Sequence, residues 1–367
     1  IVVAASNSLD PTLADPAFRC DGTADQVEIN AAITALGATG GAVILLDGTF
    51  AITAPVTLAS NVALVGQGAG TVLRIPDGHD ADLNVVYATT QDHMLVANLK
   101  IDGNKANQTV GTMNGIYWDT VTHSKVVDCW VEDMYTGGVG MYLSASSNNT
   151  ITGNTVRGHG GTGITLFTDS NNNTIANNTC QGNGSNGITV YTNTNNTISG
   201  NTCQGNTAAG ITVYTATGNT VTGNTCQGNG INGINLFSSA HYNTVTGNTC
   251  RENTVNGIQI VSSSASTITG NTCKENGGVG IYLETAPDNT VSANTCQGNT
   301  INGISIVTAS HNNTVSGNAC WLNGGSGIYL DSNNNTVTGN TCRGNIYSGI
   351  VIVGGVNNTV TGNTCQG

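Results

Sequence analysis

The stretch Asn186–Cys203, N-G-I-T-V-Y-T-N-T-N-N-T-I-S-G-N-T-C, recurs with little change from about Gly115 to the end of the sequence. Its Gly-Ile or Gly-Met pair returns at steps of 22 to 25 residues, a period that is typical of stacked-repeat proteins. Leucine-rich repeats have a similar length, but these repeats lack regularly spaced leucines and contain too much Asn, Thr and Gly for a helical return. The repeats are therefore predicted to consist of extended chain and turns.

Apolar and polar residues alternate within each repeat as they do in short strands. Ile188 and Val190 alternate with Thr189 and Tyr191. Such strands cannot bury a face alone, but coils that stack parallel and in register at about 4.8 Å bury one column of side chains for each apolar position. The sequence thus predicts an all-β fold, a single-stranded parallel solenoid of about 22–25 residues per coil.

The regularity of the repeats changes along the chain and predicts three parts. Residues 1–40 are expected to hold an N-terminal strand and a capping helix, residues 41–114 irregular first coils, and residues 115–367 regular Asn/Gly-rich coils. A solenoid grows by coils, so the length of the chain does not imply several cores.

One short amphipathic helix is predicted from Gln26 to Leu36, followed by Gly37 as a stop signal. The pattern T-x-x-Q that begins at Thr23 predicts a capping box at its start. Its apolar face is expected to consist of Val27, Ala31 and Leu36. The helix is expected to cover the open first coil, because an exposed coil edge pairs with other chains.

Asparagine occupies three columns at the corners of the coils. One runs from Asn154 through Asn178 and Asn201 to Asn363, and another from Asn149 to Asn358 with Ser266 in one gap. Asn tolerates the left-handed backbone of sharp corners, and stacked amides bond from coil to coil, so these columns are predicted to be structural.

One corner of the coils also creates N-x-S/T acceptors, which either arise by accident or carry glycans. They are Asn148, Asn172, Asn195, Asn312, Asn334 and Asn357.

The first part of the chain carries a specific resemblance. Cys20–Ile33 (C-D-G-T-A-D-Q-V-E-I-N-A-A-I), Gly40–Phe50 (G-G-A-V-I-L-L-D-G-T-F) and Leu64–Gly68 (L-V-G-Q-G) resemble the entry segment of the pectate-lyase-like superfamily of right-handed parallel β-helix proteins. The resemblance implies a right-handed helix. It does not select one activity, because the superfamily includes polysaccharide lyases, hydrolases, epimerases, phage tailspikes and non-catalytic surface proteins.

The composition and charge of the chain argue against some classes of binding partner. The net charge is −12, the isoelectric point is near 4.5 and only 8% of residues are charged, which argues against nucleic acid or an anionic membrane as partner. No apolar run is long enough to span a bilayer. The sequence opens with Ile1 rather than Met, which predicts the removal of a signal peptide and an extracellular or cell-surface location.

The acidic and basic residues between Asp102 and Tyr135 form the candidate catalytic segment. Uronate lyases and epimerases need a base, a group that neutralises the carboxylate, and a proton donor, for which we select Asp102, Asp119, His123 and Lys125. Close carboxylates would alternatively serve glycoside hydrolysis, and the remaining interpretation is an ordinary solvated acidic face. Gly158-His159-Gly160 matches the G-H-G of polygalacturonases, but their aspartate motifs, the D-P-H-E of alginate epimerases and the R-x-P-x-x-R of pectate lyases are missing.

An aromatic strip is predicted on four successive coils, at Phe167, Tyr191, Tyr214 and Phe237. Rings about 4.8 Å apart would suit the faces of sugars or another protein, or would only stabilise one another by stacking.

Cysteine recurs at one buried column from Cys180 to Cys365, with Cys129 expected beneath it and Val156 in the coil between. Because in-register stacking keeps Cβ atoms near 4.8 Å, beyond the usual disulfide range of about 3.5–4.5 Å, reduced thiols are expected. No metal site and no cofactor are predicted; the resemblance implies Ca²⁺ as the ion that acidic loop residues would bind.

Two functions follow from these patterns, and the first is favoured. An extracellular structural protein would self-associate head to tail, with the apolar strand at Ile1, Val2 and Val3 adding to the open last coil at Cys365 of another copy, and would form a filament or sheath. The alternatives are a lyase, C5-epimerase or hydrolase acting on uronate polymers, or a non-catalytic carbohydrate-binding adhesin. The sequence therefore leaves catalysis undecided and favours a non-enzyme.

Overall fold

The computed structural model describes all residues, 1–367, in two compact units, Ile1–Ser185 and Asn186–Gly367. Each unit is a right-handed parallel β-solenoid in which the chain passes through three short strands per coil. Every strand pairs in parallel with the equivalent strand of the next coil, as Tyr117 does with Tyr142 in unit 1 and Cys203 with Cys226 in unit 2. The predicted fold class is confirmed.

The strands of unit 1 form three parallel sheets. In chain order they are β1 (Val2–Val3), β2 (Gly41–Leu45), β3 (Gly48–Ala51), β4 (Val56–Thr57), β5 (Val62–Val65), β6 (Thr71–Arg74), β7 (Leu83–Thr89), β8 (Leu95–Ala97), β9 (Lys100–Asp102), β10 (Met113–Asp119), β11 (Lys125–Val127), β12 (Trp130–Glu132), β13 (Met141–Ser144), β14 (Thr150–Thr152), β15 (Thr155–Arg157), β16 (Ile164–Phe167), β17 (Thr174–Ala176) and β18 (Thr179–Gln181). The first sheet has the order β1-β2-β5-β8-β11-β14-β17, the second β4-β7-β10-β13-β16 and the third β3-β6-β9-β12-β15-β18. Single 3₁₀ turns lie at Pro11–Leu13, Pro16–Phe18, Gly37–Thr39 and Lys105–Asn107.

Unit 2 repeats the three sheets with shorter and more uniform strands. They are β19 (Ile188–Tyr191), β20 (Thr197–Ser199), β21 (Thr202–Gln204), β22 (Ile211–Tyr214), β23 (Thr220–Thr222), β24 (Thr225–Gln227), β25 (Ile234–Phe237), β26 (Thr244–Thr246), β27 (Thr249–Arg251), β28 (Ile258–Val261), β29 (Thr267–Thr269), β30 (Thr272–Lys274), β31 (Ile281–Glu284), β32 (Thr290–Ser292), β33 (Thr295–Gln297), β34 (Ile304–Val307), β35 (Thr314–Ser316), β36 (Ala319–Trp321), β37 (Ile328–Asp331), β38 (Thr336–Thr338), β39 (Thr341–Arg343), β40 (Ile350–Ile352), β41 (Thr359–Thr361) and β42 (Thr364–Gln366). The first sheet here runs from β20 to β41, the second from β19 to β40 and the third from β21 to β42.

The single helix, α1 (Gln26–Ala35), covers the first coil of unit 1 as predicted. The side-chain amide of Asn30 donates to the Pro55 carbonyl and accepts from the Thr57 N–H, so it replaces a neighbouring strand at the edge of β4. The predicted capping box is wrong, because Asp25 precedes the helix and its carboxylate instead accepts from the N–H groups of Gly22 and Ala51.

The predicted apolar face of α1 is also wrong. Val27 and Ala31 are exposed, whereas Ile29, Ala32 and Ile33 are buried. The helix begins at Gln26 as predicted, with Asp25 rather than Thr23 at its N-cap. Apolar residues occur on several sides of it, so their spacing alone does not identify the buried face.

Buried columns form the core of unit 2. Cys226, Cys250 and Cys273 pair in direct register and are fully buried. The repeat glycines make room for them: a Cβ on Gly257 would lie 2.9 Å from the Cβ of Cys273 and 2.6 Å from the Gly280 carbonyl oxygen. The Gly and Cys columns are thus two halves of one packing arrangement.

The expected place of Cys129 beneath this column is wrong. In unit 1 Val131 pairs with Val156, which pairs with Cys180, so valine occupies the column. Cys129 lies two residues earlier and takes an asparagine position instead, where its N–H donates to the Asn154 side-chain oxygen at 2.9 Å. The direct register of β12 with β15 places it there.

Stacked asparagines satisfy the corners of unit 2. Asn248 donates its side-chain NH₂ to the Val221 carbonyl and to the Asn271 side-chain oxygen, each at 2.9 Å. Its own side-chain oxygen accepts from the N–H and the side-chain NH₂ of Asn224. Equivalent bonds run through the columns of Asn219 and Asn229, so the predicted structural ladders are confirmed.

Candidate functional site

The four predicted catalytic residues do not converge on one site. Asp102 ends β9 in the third sheet of unit 1, and Asp119 ends β10 in the second. His123 lies at a corner with its ring stacked on His93 at 5.3 Å, and Lys125 is exposed at the start of β11 in the first sheet. The grouping is corrected because residues close in sequence face different sides of a coil. Asp102 and Asp119 instead belong to two separate surfaces.

Asp119 lines a groove of about 520 Å³ on the outer side of β7 and β10, here called the tyrosine groove. It is lined by Pro55, Asp82, Leu83, Asn84, Tyr87, Thr112, Asn114, Tyr117 and Asp119. The parallel register places Asn84 beside Asn114 and Tyr87 beside Tyr117. The side-chain NH₂ of Asn114 donates to the Asn84 side-chain oxygen at 2.8 Å. The Thr112 N–H donates to a carboxylate oxygen of Asp82 at 2.6 Å.

The tyrosine groove is acidic and rich in hydroxyl groups. Asp82 and Asp119 are its ionisable carboxyl groups, and no Lys or Arg lines it. Burial, and then the neighbouring Asp119, raise the pKa of Tyr117, so its hydroxyl keeps its proton at neutral pH. Neither Tyr87 nor Tyr117 donates its hydroxyl to a protein group. The groove therefore offers free hydrogen-bond donors beside acceptors and ring edges.

Asp102 belongs to a second surface on the third sheet of unit 1, here called the charged cluster: Arg74, Lys100, Asp102, Lys105, Glu132, Asp133 and Arg157. Arg74 binds Asp102 at 3.1 Å, and Arg157 binds Glu132 at 2.8 Å. Lys100 also pairs with Glu132. These cations are four of the nine Lys and Arg residues of the chain, so the cluster is a local concentration of charge in a charge-poor protein.

The carboxyl groups of the charged cluster have opposite environments. Burial works against ionisation of Glu132, but hydrogen bonds from Lys100 and Arg157 hold its pKa below the usual value. Burial, followed by repulsion from Glu132 and Asp102, raises the pKa of Asp133, which makes no ion pair. Oxygens of Asp102, Glu132 and Asp133 lie within 4.8 Å of one another. Because Arg and Lys already neutralise two of them, the arrangement suits an acid–base pair better than a cation site.

The histidine of the G-H-G sequence has a structural position. His159 is fully buried and occupies an asparagine position, with its N–H donating to the Asn183 side-chain oxygen. The Met134 N–H donates to Nδ1 of the ring, which leaves the proton on Nε2, where it has no partner. Burial lowers the pKa of His159 to about 3. A neutral imidazole inside the solenoid cannot reach a substrate, so the motif similarity is coincidental.

The predicted aromatic strip is divided between the units. In unit 2, the Tyr191 and Tyr214 rings lie 5.0 Å apart with an angle of 4°, and Phe237 follows at 5.6 Å. In unit 1, Phe167 follows a stack of Tyr87, Tyr117 and Tyr142 that the sequence analysis missed. Stacked rings bury their faces against each other and present edges to solvent, which favours mutual stabilisation over binding of sugar faces.

The predicted assembly strand is already paired within the chain. Val2 and Val3 pair with Ile44 and Leu45, and the Ala4 N–H and carbonyl bond to Phe18 and Cys20. β2 pairs with one edge of this strand, and on the other edge the bonds come from Ala4. Head-to-tail addition of the strand to the last coil of another copy stays a prediction. Cys365 is exposed in β42.

The six predicted glycan acceptors share a corner conformation. Each is exposed and has a left-handed backbone; they are Asn148, Asn172, Asn195, Asn312, Asn334 and Asn357. This geometry explains why asparagine recurs there, and glycosylation stays a prediction. No helix of the chain combines the length and the apolar character needed to cross a membrane.

The sequence matches the family described as right handed beta helix region over residues 84–250, 166–320 and 243–367, so the chain belongs to this family. A search of curated proteins gives no match.

Solved structures share the fold at low sequence identity. The A-module of the Azotobacter vinelandii mannuronan C-5 epimerase AlgE6 is 20% identical, with a TM-score of 0.73, over 95% of this chain and 96% of that one. The AlgE4 A-module of the same organism is 20% identical, with a TM-score of 0.71, over 93% and 97%. The Dettilon tailspike protein gp208 is 19% identical, with a TM-score of 0.73, over 86% and 66%. At these identities the similarity shows the fold alone.

Proposed function

We propose that the protein binds an uncharged polysaccharide in the tyrosine groove of unit 1, outside the cell. The observation that carries the proposal is the combination of free Tyr87 and Tyr117 hydroxyls, the Asn84–Asn114 amide pair and two carboxylates in one open groove. Sugar hydroxyls both donate and accept hydrogen bonds, and such a lining pairs with them in both directions. The structural similarity to polysaccharide epimerases and a tailspike supports the class of ligand.

The charge of the groove favours a neutral sugar over a uronate. A uronate carboxylate about 4 Å from Asp82 or Asp119 would meet a repulsion on the order of 4 kcal/mol at an effective dielectric constant near 20. No Lys or Arg of the groove offsets it. The uronate polymers considered in the sequence analysis are therefore disfavoured as ligands at this surface.

Calorimetric titration of the whole protein with neutral and uronate oligosaccharides tests the proposal. A neutral oligosaccharide is expected to bind, and Tyr117→Ala to weaken binding by about tenfold, the loss of a hydrogen bond and ring contact of about 1.4 kcal/mol. Tyr214→Ala is the matched control, because this ring is stacked in the same way but lies outside the groove.

Equal loss in both variants, or binding of uronates alone, would contradict the proposal. Asp119→Asn adds a second discrimination, since removing the negative charge should improve uronate binding while leaving a polar group in place.

A second candidate is glycoside hydrolysis at the charged cluster, favoured by the raised pKa of Asp133 beside Asp102 and beside Glu132, whose pKa is lowered. Asp133 would protonate the leaving oxygen, and a carboxylate within about 5 Å would act from the other side, as in retaining glycosidases. Release of reducing ends from a polysaccharide that Asp133→Asn abolishes would establish this activity. Persistence of the activity in that variant would exclude Asp133 as the acid.

A self-assembling scaffold is the remaining alternative. In it the strand at Val2 and Val3, which pairs with β2 on one edge and ends its sheet, would add head to tail to the last coil of another copy. Electron microscopy of the purified protein across a range of concentrations checks for filaments, and particles that stay single at all concentrations would end this alternative.

A further inference from the structure

The first sheet of unit 2 carries two parallel columns of hydroxyl groups. Each of its strands, from β20 to β41, has the form Thr-x-Thr or Thr-x-Ser, with the middle residue buried or half-buried and the outer two pointing outward. We name the outward pairs, from Thr197 and Ser199 to Thr359 and Thr361, the hydroxyl lattice. Thr220 stands directly opposite Thr244, and Thr222 opposite Thr246.

Direct register gives the hydroxyl lattice two fixed repeats. Successive rows lie about 4.8 Å apart, and the two columns are two residues, or about 6.6 Å, apart along each strand. The asparagine ladders of Asn219 and Asn224 flank these strands and hold the coils in line. Side-chain ladders of this kind suppress the twist that would otherwise rotate each row against the next.

The hydroxyl lattice is uncharged and mostly free. None of its positions is Asp, Glu, Lys or Arg, and the only hydrogen bond between its hydroxyls joins Ser292 to Thr269 at 3.1 Å. Each threonine presents a methyl group beside its hydroxyl. The surface can therefore anchor water at regular points, while the methyl groups leave neighbouring waters to bond with each other.

The other outward faces of unit 2 show that the fold does not require this pattern. On the second sheet, the column through Thr212 continues as Asn235, Gln259 and Tyr282. On the third sheet, the column through Thr249 is threonine except at Ala319, and its companion column contains Gln227, Arg251 and Lys274. Only the first sheet keeps hydroxyls at both outward positions in every coil.

We propose that the hydroxyl lattice is an ice-binding surface. The spacing of its rows is near the shorter oxygen–oxygen repeat on the prism face of hexagonal ice, and the spacing of its columns is somewhat below the longer repeat. Water held by the threonines can therefore continue into the crystal along the rows. Charged groups orient water differently and are excluded from ice, which agrees with a lattice free of them. The site lies in unit 2 and is separate from the tyrosine groove.

Partitioning of the whole protein into a slowly growing ice front, together with thermal hysteresis, tests this inference. The protein is expected to be incorporated into ice. Thr246→Tyr with Thr269→Tyr, in adjacent rows of the lattice, should reduce incorporation to the level of a globular protein that does not bind ice. Thr249→Tyr with Thr272→Tyr is the matched control, because these threonines lie in the same two coils on the third sheet and should leave incorporation unchanged.

A third variant, Thr246→Val with Thr269→Val, keeps a β-branched side chain while removing the hydroxyls, and should also lose incorporation because the hydroxyls hold the anchored water. Full incorporation of this variant would contradict anchoring by the hydroxyls. Circular dichroism and Tm show that each variant is folded. Exclusion of the natural protein from ice, or equal behaviour of the lattice and control variants, would overturn the inference. Retention on an insoluble crystalline polysaccharide that needs the lattice threonines, without incorporation into ice, would also overturn it and assign the surface to that polymer.

Discussion

Unit 1 and unit 2 have the same three-sheet coil but fill its inner columns differently. Unit 2 repeats asparagine, cysteine and glycine at the same positions, and Asn235 is its one residue with a buried polar atom that lacks a partner. Unit 1 replaces column residues with Cys129, Val131 and His159, and leaves polar atoms of Glu28, Trp118 and His159 without partners. A regular column therefore supplies the same hydrogen-bond partners to the buried polar groups of every coil. Each irregular residue needs partners of its own.

The same contrast separates the proposed surfaces. The tyrosine groove and the charged cluster lie among the irregular coils of unit 1, where longer connections bring unlike residues together. The hydroxyl lattice requires the opposite, a face that keeps threonine or serine at both outward positions in every coil. Variation suits recognition of a small chemical group, and repetition suits recognition of a periodic solid.

The largest effect is expected from breaking an asparagine ladder in unit 2. Asn248→Ala removes bonds to Val221 and Asn271 and leaves the buried Asn224 N–H without its acceptor. At about 1–3 kcal/mol for each orphaned group, we expect a loss of about 4 kcal/mol in the free energy of unfolding. Denaturant unfolding measures it, with the exposed Gln204→Ala as control, which should stay within about 0.5 kcal/mol. Similar losses in both variants would show that the ladder is not responsible.

A slightly smaller effect is expected from filling the glycine column. A Cβ on Gly257 would lie 2.6 Å from the Gly280 carbonyl oxygen, so Gly257→Ala forces adjacent coils apart and should cost about 3 kcal/mol. A Cβ on Gly70 would meet no atom within 4 Å, so Gly70→Ala should be neutral or slightly stabilising. Thermal unfolding compares the two, and a tolerated Gly257→Ala would mean that the coil spacing can adjust.

The regular columns could be predicted from sequence because every coil of unit 2 has nearly the same length. Once Gly187 and Gly210 are aligned, Cys203 and Cys226 follow at a fixed offset. The coils of unit 1 differ in length, so no constant offset from the repeat glycine applies to them. The register shifts by 30 residues from Leu83 to Met113 and by 25 from Ile116 to Met141.

Those unequal steps explain the errors at the candidate sites. Tyr87, Tyr117 and Tyr142 were missed because they stack at a different offset from the repeat glycine than Phe167 does. Asp102 was correctly placed among acidic residues, but its partners Arg74 and Glu132 come from coils of different length. Three-sided coils also hide which sheet a residue faces, which separated Asp102 from Asp119.

A pH-dependent effect is expected from restoring the asparagine that His159 replaces. The pKa of this histidine falls from an unfolded value near 6.5 to about 3 on burial, so its contribution is complete above pH 6.5 and is lost as pH falls. Between pH 7 and pH 5 the natural protein should lose about 2 kcal/mol from this group, and His159→Asn should not. Denaturant unfolding of both proteins at pH 7 and at pH 5 measures their free energies of unfolding. If the stability gap between the natural protein and the variant is the same at both pH values, the imidazole is not buried in its neutral form.

The smallest effect is expected from exchanging column residues between the units. Val156 in unit 1 and Cys273 in unit 2 hold equivalent inward positions, and each lies against a repeat glycine, Gly140 and Gly257 respectively. Cys273→Val should therefore change the free energy of unfolding by less than about 1.5 kcal/mol, since only apolar volume is needed. Cys273→Ser keeps the small size but buries a hydroxyl in that column and should cost more, about 1–3 kcal/mol. Denaturant unfolding of both variants under reducing conditions ranks their free energies of unfolding.

If Cys273→Ser is the more stable variant, the thiols bond to one another in a way that a hydroxyl can replace and valine cannot. The column would then be polar rather than apolar.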